Sequence, residues 1–197
     1  MKIAVFASGT GSNFTALVQA IKQGQLAATI ELLVCDQPDA LVLKRAEAER
    51  IPIVCLKPSD FATKTAYEEQ VKEALILHEI EFIVLAGYMR LIGPTLLEPY
   101  KNRIINIHPS LLPAFPGRTS IADAFDAGMS ESGITIHYID EGIDTGPIIY
   151  QKAVSILKTD TFATFTERMH AVEHTIYPMV LEKIFQEGAS NEKKSLN

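Results

Sequence analysis

Three short stretches of this chain carry side chains capable of chemistry. Asn106-Ile107-His108 sets an amide and an imidazole two residues apart. In a strand that spacing sends both side chains to one face and Ile107 to the other. Pro109 ends the strand, so His108 is presented at its rim. An amide donor beside a titratable imidazole can stabilise a developing oxyanion. Asp140, Glu141 and Asp144 lie on a loop with Gly142, Ile143 and Gly146. One of these carboxylates can pair with an imidazole, which favours the imidazolium and raises the histidine's pKa. The third stretch, Ser8-Gly9-Thr10-Gly11-Ser12-Asn13, separates an apolar run from a helical pattern. Free N–H groups and the positive end of a helix dipole there suit an anion. Ser12 and Asn13 are also residue types that cap helices.

The same turn opens a rival reading. Gly9-Thr10-Gly11 begins a dinucleotide fingerprint, and Asp36 ends the second predicted strand, where a ribose-binding acid would sit. Phe14 occupies the place of the third glycine, whose absence of bulk lets helix and strand pack closely. A lone phosphate is therefore the better fit, and a nucleotide-binding oxidoreductase or a ligand sensor is the alternative. The acidic loop lacks the alternating oxygen ligands and distal glutamate of a calcium loop. No histidine pair has zinc-ligand spacing, and His170 and His174 share a helix face beside Glu173, so no metal is expected.

These groups need a scaffold. Short β-branched runs alternate with helical periodicity, as when parallel strands are joined by crossover helices. Strands are predicted at 2–7, 30–35, 53–55, 82–86 and 104–107, and helices at 12–22, 41–50, 65–78, 94–100 and 120–127. The fold class is α/β, a doubly wound, mainly parallel twisted sheet. Further strands at 134–139 and 148–153 can pair as a hairpin, and residues 162–185 form a long closing helix that Pro178 should bend or interrupt. A single domain over 1–187 is expected, with an N-terminal phosphate-binding half (about 1–100) and a catalytic half (about 101–187), followed by a polar tail, 188–197. The longest loops, 110–119 and 140–146, are where function is sought.

At 197 residues, 47% hydrophobic and 21% charged, the chain matches an ordinary globular protein. Its formal net charge of -6 offers no footprint for extended nucleic acid, though backbone N–H groups bind a small phosphate regardless of net charge. Cys35 and Cys55 have no disulfide or zinc spacing, and the apolar start is too short for a signal peptide or membrane span. A cytoplasmic protein without a membrane partner, monomeric or homodimeric, is expected.

Ser8 to Asn13, Leu85-Ala86-Gly87-Tyr88-Met89-Arg90, Asn106-Ile107-His108-Pro109-Ser110-Leu111-Leu112-Pro113 and Asp140-Glu141-Gly142-Ile143-Asp144-Thr145-Gly146-Pro147 together resemble the phosphoribosylglycinamide formyltransferase family. The resemblance spans residues 1–186 and implies a Rossmann-like formyltransferase fold. It also implies transfer of a formyl group from 10-formyltetrahydrofolate, the co-substrate, to the amine of 5'-phosphoribosylglycinamide in purine biosynthesis. Asn106, His108 and Asp144 match the family's catalytic trio. Thr10, Gly11, Ser12 and Asn13 match its phosphate turn, and His170, Ala171, Val172 and Glu173 its remaining ribonucleotide segment, with Glu173 on the ribose hydroxyls. Lys64, Met89, Arg90, Leu91, Ile92, Asn106, Asp140, Glu141, Gly142, Ile143 and Asp144 match the formyl-folate positions. Thr119 stands where some relatives carry a histidine. Methionyl-tRNA formyltransferases and formyl-folate hydrolases resemble the same core but carry further domains for which 197 residues leave no room.

Overall fold

The computed structural model describes residues 1–195, with side chains through Gly188. Its centre is a seven-stranded sheet of order β3-β2-β1-β4-β5-β6-β7. The first five strands, β1 (Lys2–Ala7), β2 (Thr29–Cys35), β3 (Ile53–Cys55), β4 (Phe82–Leu85) and β5 (Ile104–His108), are parallel. They are joined through α1 (Ser12–Lys22), α2 (Leu41–Ala48), α3 (Lys64–Leu77) and the short α4 (Pro94–Leu97). After α5 (Ser120–Asp126), β6 (Glu131–Tyr138) runs antiparallel to β5, and β7 (Ile148–Ser155) returns antiparallel to β6. The predicted hairpin is thus an antiparallel edge added to a parallel sheet.

The apolar runs of the central strands are continuous because both faces are covered. Period two divides them. Ile3, Val5 and Ala7 of β1 face Phe14 and Leu17 of α1 and the long α6 (Phe162–Ser195), whereas Ala4 and Phe6 face Tyr67, Val71 and Leu75 of α3 and Leu96 of α4. The sheet order reverses around β1, whose neighbours β2 and β4 lead away in opposite directions. In such sheets ligands bind in the crevice at the carboxyl ends of the strands flanking that reversal. The phosphate turn leaves β1 there and residues 86–93 leave β4.

α6 differs from the prediction at its end. It continues to Ser195, where a polar tail was expected from residue 188; the last two residues lie outside the described ones. The helix runs uninterrupted through Pro178. Ile176, Tyr177, Val180 and Leu181 are buried on both sides of the proline, and their packing offsets the roughly 3 kcal/mol that an interior proline costs a helix.

Tyr177 links that helix to the site. Fully buried, it donates its hydroxyl to Leu85 O at 2.7 Å and to Ile105 O at 3.3 Å, at the ends of β4 and β5. Tyr177→Phe leaves those carbonyls without this donor and should lower the unfolding free energy by about 1–2 kcal/mol. Equilibrium urea denaturation reads the change directly, and an unaltered midpoint would show that the bonds carry no stability.

Candidate active site

A cavity of about 700 Å³ opens at the predicted crevice. It gathers Thr10 to Asn13, Met89 to Ile92, Asn106, His108, Asp140, Gly142, Ile143, Asp144, His170 and Glu173. Lys64, Glu141, Ala171 and Val172 do not line it. Lys64 instead lies along α3, 3.7 Å from Glu68, and Glu141 is exposed at the loop tip. Residues three apart share a helix face, so His170 and Glu173 point inward together while Ala171 and Val172 are rotated away.

The turn after β1 is built by Gly11, which takes a left-handed φ of 75° and caps α1 without any side-chain hydrogen bond. A Cβ at Gly11 would lie 2.5 Å from Val42 Cγ2, so both backbone angle and space demand glycine. Neither Ser12 nor Asn13 caps the helix. Asn13 Nδ2 donates to Glu173 Oε2 at 3.1 Å instead, and no side chain of the helix occupies the N–H groups at its start. Burial pushes the Glu173 carboxyl up to about 7, against the pull of that bond.

His108 is 4% exposed. Its Nε2 lies 2.9 Å from Phe115 O and 3.0 Å from Ser120 Oγ, whose own proton goes to Gly117 O. A carbonyl only accepts, so Nε2 carries a hydrogen and Nδ1 is the position left for a second proton. Asp144 Oδ2 stands 3.4 Å from Nδ1 and accepts from Gly117 N–H at 2.9 Å. The pairing is as expected, but its effect on the ring is not. Burial drives the His108 pKa below its ordinary value and outweighs the opposing pull of Phe115 O and Asp144. Burial also pushes Asp144 up, yet its bonds with His137 and Gly117 N–H and the proximity of His108 hold it below the usual range.

Two side chains of this centre escaped the sequence reading. His137 and Thr135 sit opposite Asn106 and His108 in the β5–β6 register, and both are fully buried. His137 Nδ1–H donates to Tyr138 O at 2.9 Å, while Nε2 lies 3.4 Å from Asn106 Nδ2 and 3.6 Å from Asp144 Oδ1. Thr135 Oγ1 accepts from Leu112 N–H at 3.0 Å and donates to Ser110 O at 2.7 Å, which fixes the turn after His108. The available signal was His137 within the run 134–139, two residues from Thr135, but strand pairing is needed to bring it to Asn106.

Asp36, the acid required by the oxidoreductase reading, is 1% exposed and does not line the cavity. It accepts from Arg90 Nε at 2.8 Å, and Phe14 is fully buried where the fingerprint needs glycine. Among the described residues no cluster of three or more metal-ligating side chains occurs, and no helix is long and apolar enough to cross a membrane.

A family model described as formyl transferase matches residues 1–181. The chain is 53% identical over 192 residues to phosphoribosylglycinamide formyltransferase of Bacillus subtilis strain 168, covering 98% of each sequence. A crystal structure of phosphoribosylglycinamide formyltransferase from Bacillus halodurans superposes with a TM-score of 0.93 at 50% identity, covering 95% of this chain and 97% of that one. Glycinamide ribonucleotide transformylase 1 from Geobacillus kaustophilus gives a TM-score of 0.90 at 51% identity, with 93% and 97% covered.

Glu173 makes stability depend on pH. A carboxyl raised from 4.5 to about 7 binds its proton more readily in the folded chain. Its contribution is therefore complete below about pH 4.5 and lost as the pH rises through about 7. Glu173→Gln cannot ionise, so relative to the parent it should gain on the order of 2–3 kcal/mol between about pH 5 and pH 8. Thermal or urea unfolding of both proteins at the two pH values tests this, and parallel curves would refute a neutral Glu173.

Proposed function

The chain belongs to the formyl transferase family, and from that premise we propose how its own side chains move a formyl group from 10-formyltetrahydrofolate to the amine of 5'-phosphoribosylglycinamide. The carrying observation is the convergence of Asn106, His108 and Asp144 in one cavity with a helix start whose N–H groups no side chain occupies. Thr10 to Asn13 receive the phosphate, and Glu173, backed by Asn13, meets the ribose hydroxyls, with His170 beside it. The apolar side chains of Leu85, Ile92, Ile107 and Ile139, together with the backbone at 89–92 and 140–144, suit a flat heteroaromatic ring. Lys64 and Glu141 remain at the periphery, where they can meet the outer part of the folate.

The formyl-folate supplies an activated carbonyl carbon. His108 awaits the amine as the neutral Nε2–H tautomer, so Nδ1, facing Asp144, takes up the amine's proton. The resulting imidazolium and the Asn106 amide then stabilise the charge on the formyl oxygen, while Asp144 holds the ring in place. As the oxyanion collapses, the bond from the formyl carbon to the folate nitrogen breaks, that nitrogen takes the proton from His108, and tetrahydrofolate leaves. His137 orients Asn106 and Asp144. Residues 1–187 act as one unit, with both halves contributing to one cavity. The free thiols of Cys35 and Cys55 support placing the enzyme in the reducing cytoplasm.

The direct test follows tetrahydrofolate and formylated product together with purified protein and both substrates. Asn106→Ala and His108→Ala should each cost about 10²–10³ in kcat, the usual loss for one oxyanion donor. Asp144→Asn removes the charge that favours the imidazolium, so the His108 pKa should fall further and transfer should slow. NADH binding without formyl transfer would establish the oxidoreductase instead, and an unchanged His108 titration in Asp144→Asn would dissolve the proposed pair.

A further inference from the structure

Ser8 stands at the junction of the two subsites without lining the cavity. It follows the last residue of β1 and opens the phosphate turn. Its N–H donates to Gly87 O at 3.0 Å, and its Oγ accepts from Met89 N–H at 2.9 Å. Because Oγ is an acceptor toward Met89, its own proton is free for the neighbouring carboxylate. Asp36 is that carboxylate. Burial pushes it up, but the hydroxyl of Ser8, with Arg90 and Gln37, holds it below the ordinary range. Asp36 accepts from Arg90 Nε at 2.8 Å. Residues 87, 89 and 90 are thus fastened to the ends of β1 and β2 by one serine and one buried acid.

The far side of the phosphate turn has little freedom. Val42 N–H donates to Gly9 O at 3.1 Å, and Val42 fills the space beside Gly11. A turn that tightens on a phosphate is braced against α2 on that side and tied to α6 through Asn13, and its connection to residues 87–90 is Ser8. We propose that Ser8 is a positioning residue that couples the subsites: closure of the turn on the ribonucleotide phosphate orders residues 87–90 for the folate, and folate binding orders the turn. This inference rests on the substrates assigned above. Coupling of this kind is reciprocal and typically changes affinity by 5- to 150-fold.

Calorimetry on the full chain tests it, with the dissociation constant of tetrahydrofolate measured with and without saturating phosphoribosylglycinamide. The parent should show a ratio of about 5 or more, and Ser8→Ala should reduce it to below about 2. Ser8→Thr, which keeps the hydroxyl, should restore the ratio, and Asp36→Asn, which leaves Ser8 in place but weakens the hold on Arg90, should give an intermediate value. Direct contact between the two ligands would also couple them, but that coupling survives loss of the serine. An unchanged ratio in Ser8→Ala, or a ratio of one in the parent, overturns the proposal. If Ser8→Ala does not fold, Asp36→Asn decides, and an unchanged ratio there overturns it as well. Failure of the parent to bind either ligand overturns the substrate assignment, and this inference falls with it.

Discussion

A buried imidazole must find partners for both ring nitrogens within the protein, and much of the cavity end of this molecule is folded around meeting that condition for His108. Its two principal partners, Phe115 and Asp144, both sit in the left-handed region, at φ 51° and 54°. Each such residue costs roughly 1–2 kcal/mol. The chain sustains that cost through local fastening. Ser120 reaches from the start of α5 to His108 Nε2, Gly117 N–H holds Asp144, and Thr135 ties the intervening turn to β6. Gly146 lets the acidic loop pass where a Cβ would lie 1.9 Å from Tyr138 O. Strain, loop course and the antiparallel edge are consequences of one ring's placement.

The sheet supplies the other half of the site by topology. Because β1 lies between β2 and β4, the turn after β1 and the loop after β4 open on the same crevice, and β5 delivers Asn106 and His108 beside them. α6 packs on the face that carries Ile105 and Ile107, opposite to Asn106 and His108, and adds His170 and Glu173 to the cavity from far along the chain. Tyr177, one turn beyond Glu173, bonds to the carbonyls of Leu85 and Ile105, so the helix that presents the acid also grips the strands that frame the cavity.

Much of this was legible in the chain. Strand β3 was predicted to the residue, and the period-two pairing of Asn106 with His108 holds because strand geometry is local. What local pattern cannot supply is register. His137 and Thr135 enter the site only because β6 pairs antiparallel with β5, opposite Asn106 and His108. The run His170 to Glu173 reads as four adjacent positions, but a helix turns two of them away. The direction of the His108 shift was also misread, since a carboxylate neighbour is visible in the sequence whereas the depth of burial that outweighs it is not. Asp36 shows the same limit: a strand-end acid suggested a ribose contact, and only the tertiary structure reveals that Arg90 claims it.

An acidic chain with a net charge of -6 that accepts a phosphate ester and a carboxylated folate faces a local problem that its composition hides. Three acids line the cavity and a fourth, Asp36, pairs with its Arg90, and the fold deals with each separately. Asp36 is paired with Arg90 away from the lining, and Asp140 is occupied by Gly142 N–H and the Thr145 hydroxyl. Asp144 is engaged by Gly117 N–H and flanked by His108 and His137. Glu173, which accepts from Asn13 of the turn after β1, has no cationic partner either, and burial raises its pKa to about 7. A carboxyl about half protonated at neutral pH repels a neighbouring anion less than a fully ionised one would. Charge at this site is therefore set by burial and pairing at each acid, and the overall charge bears only on whether an extended polyanion could bind.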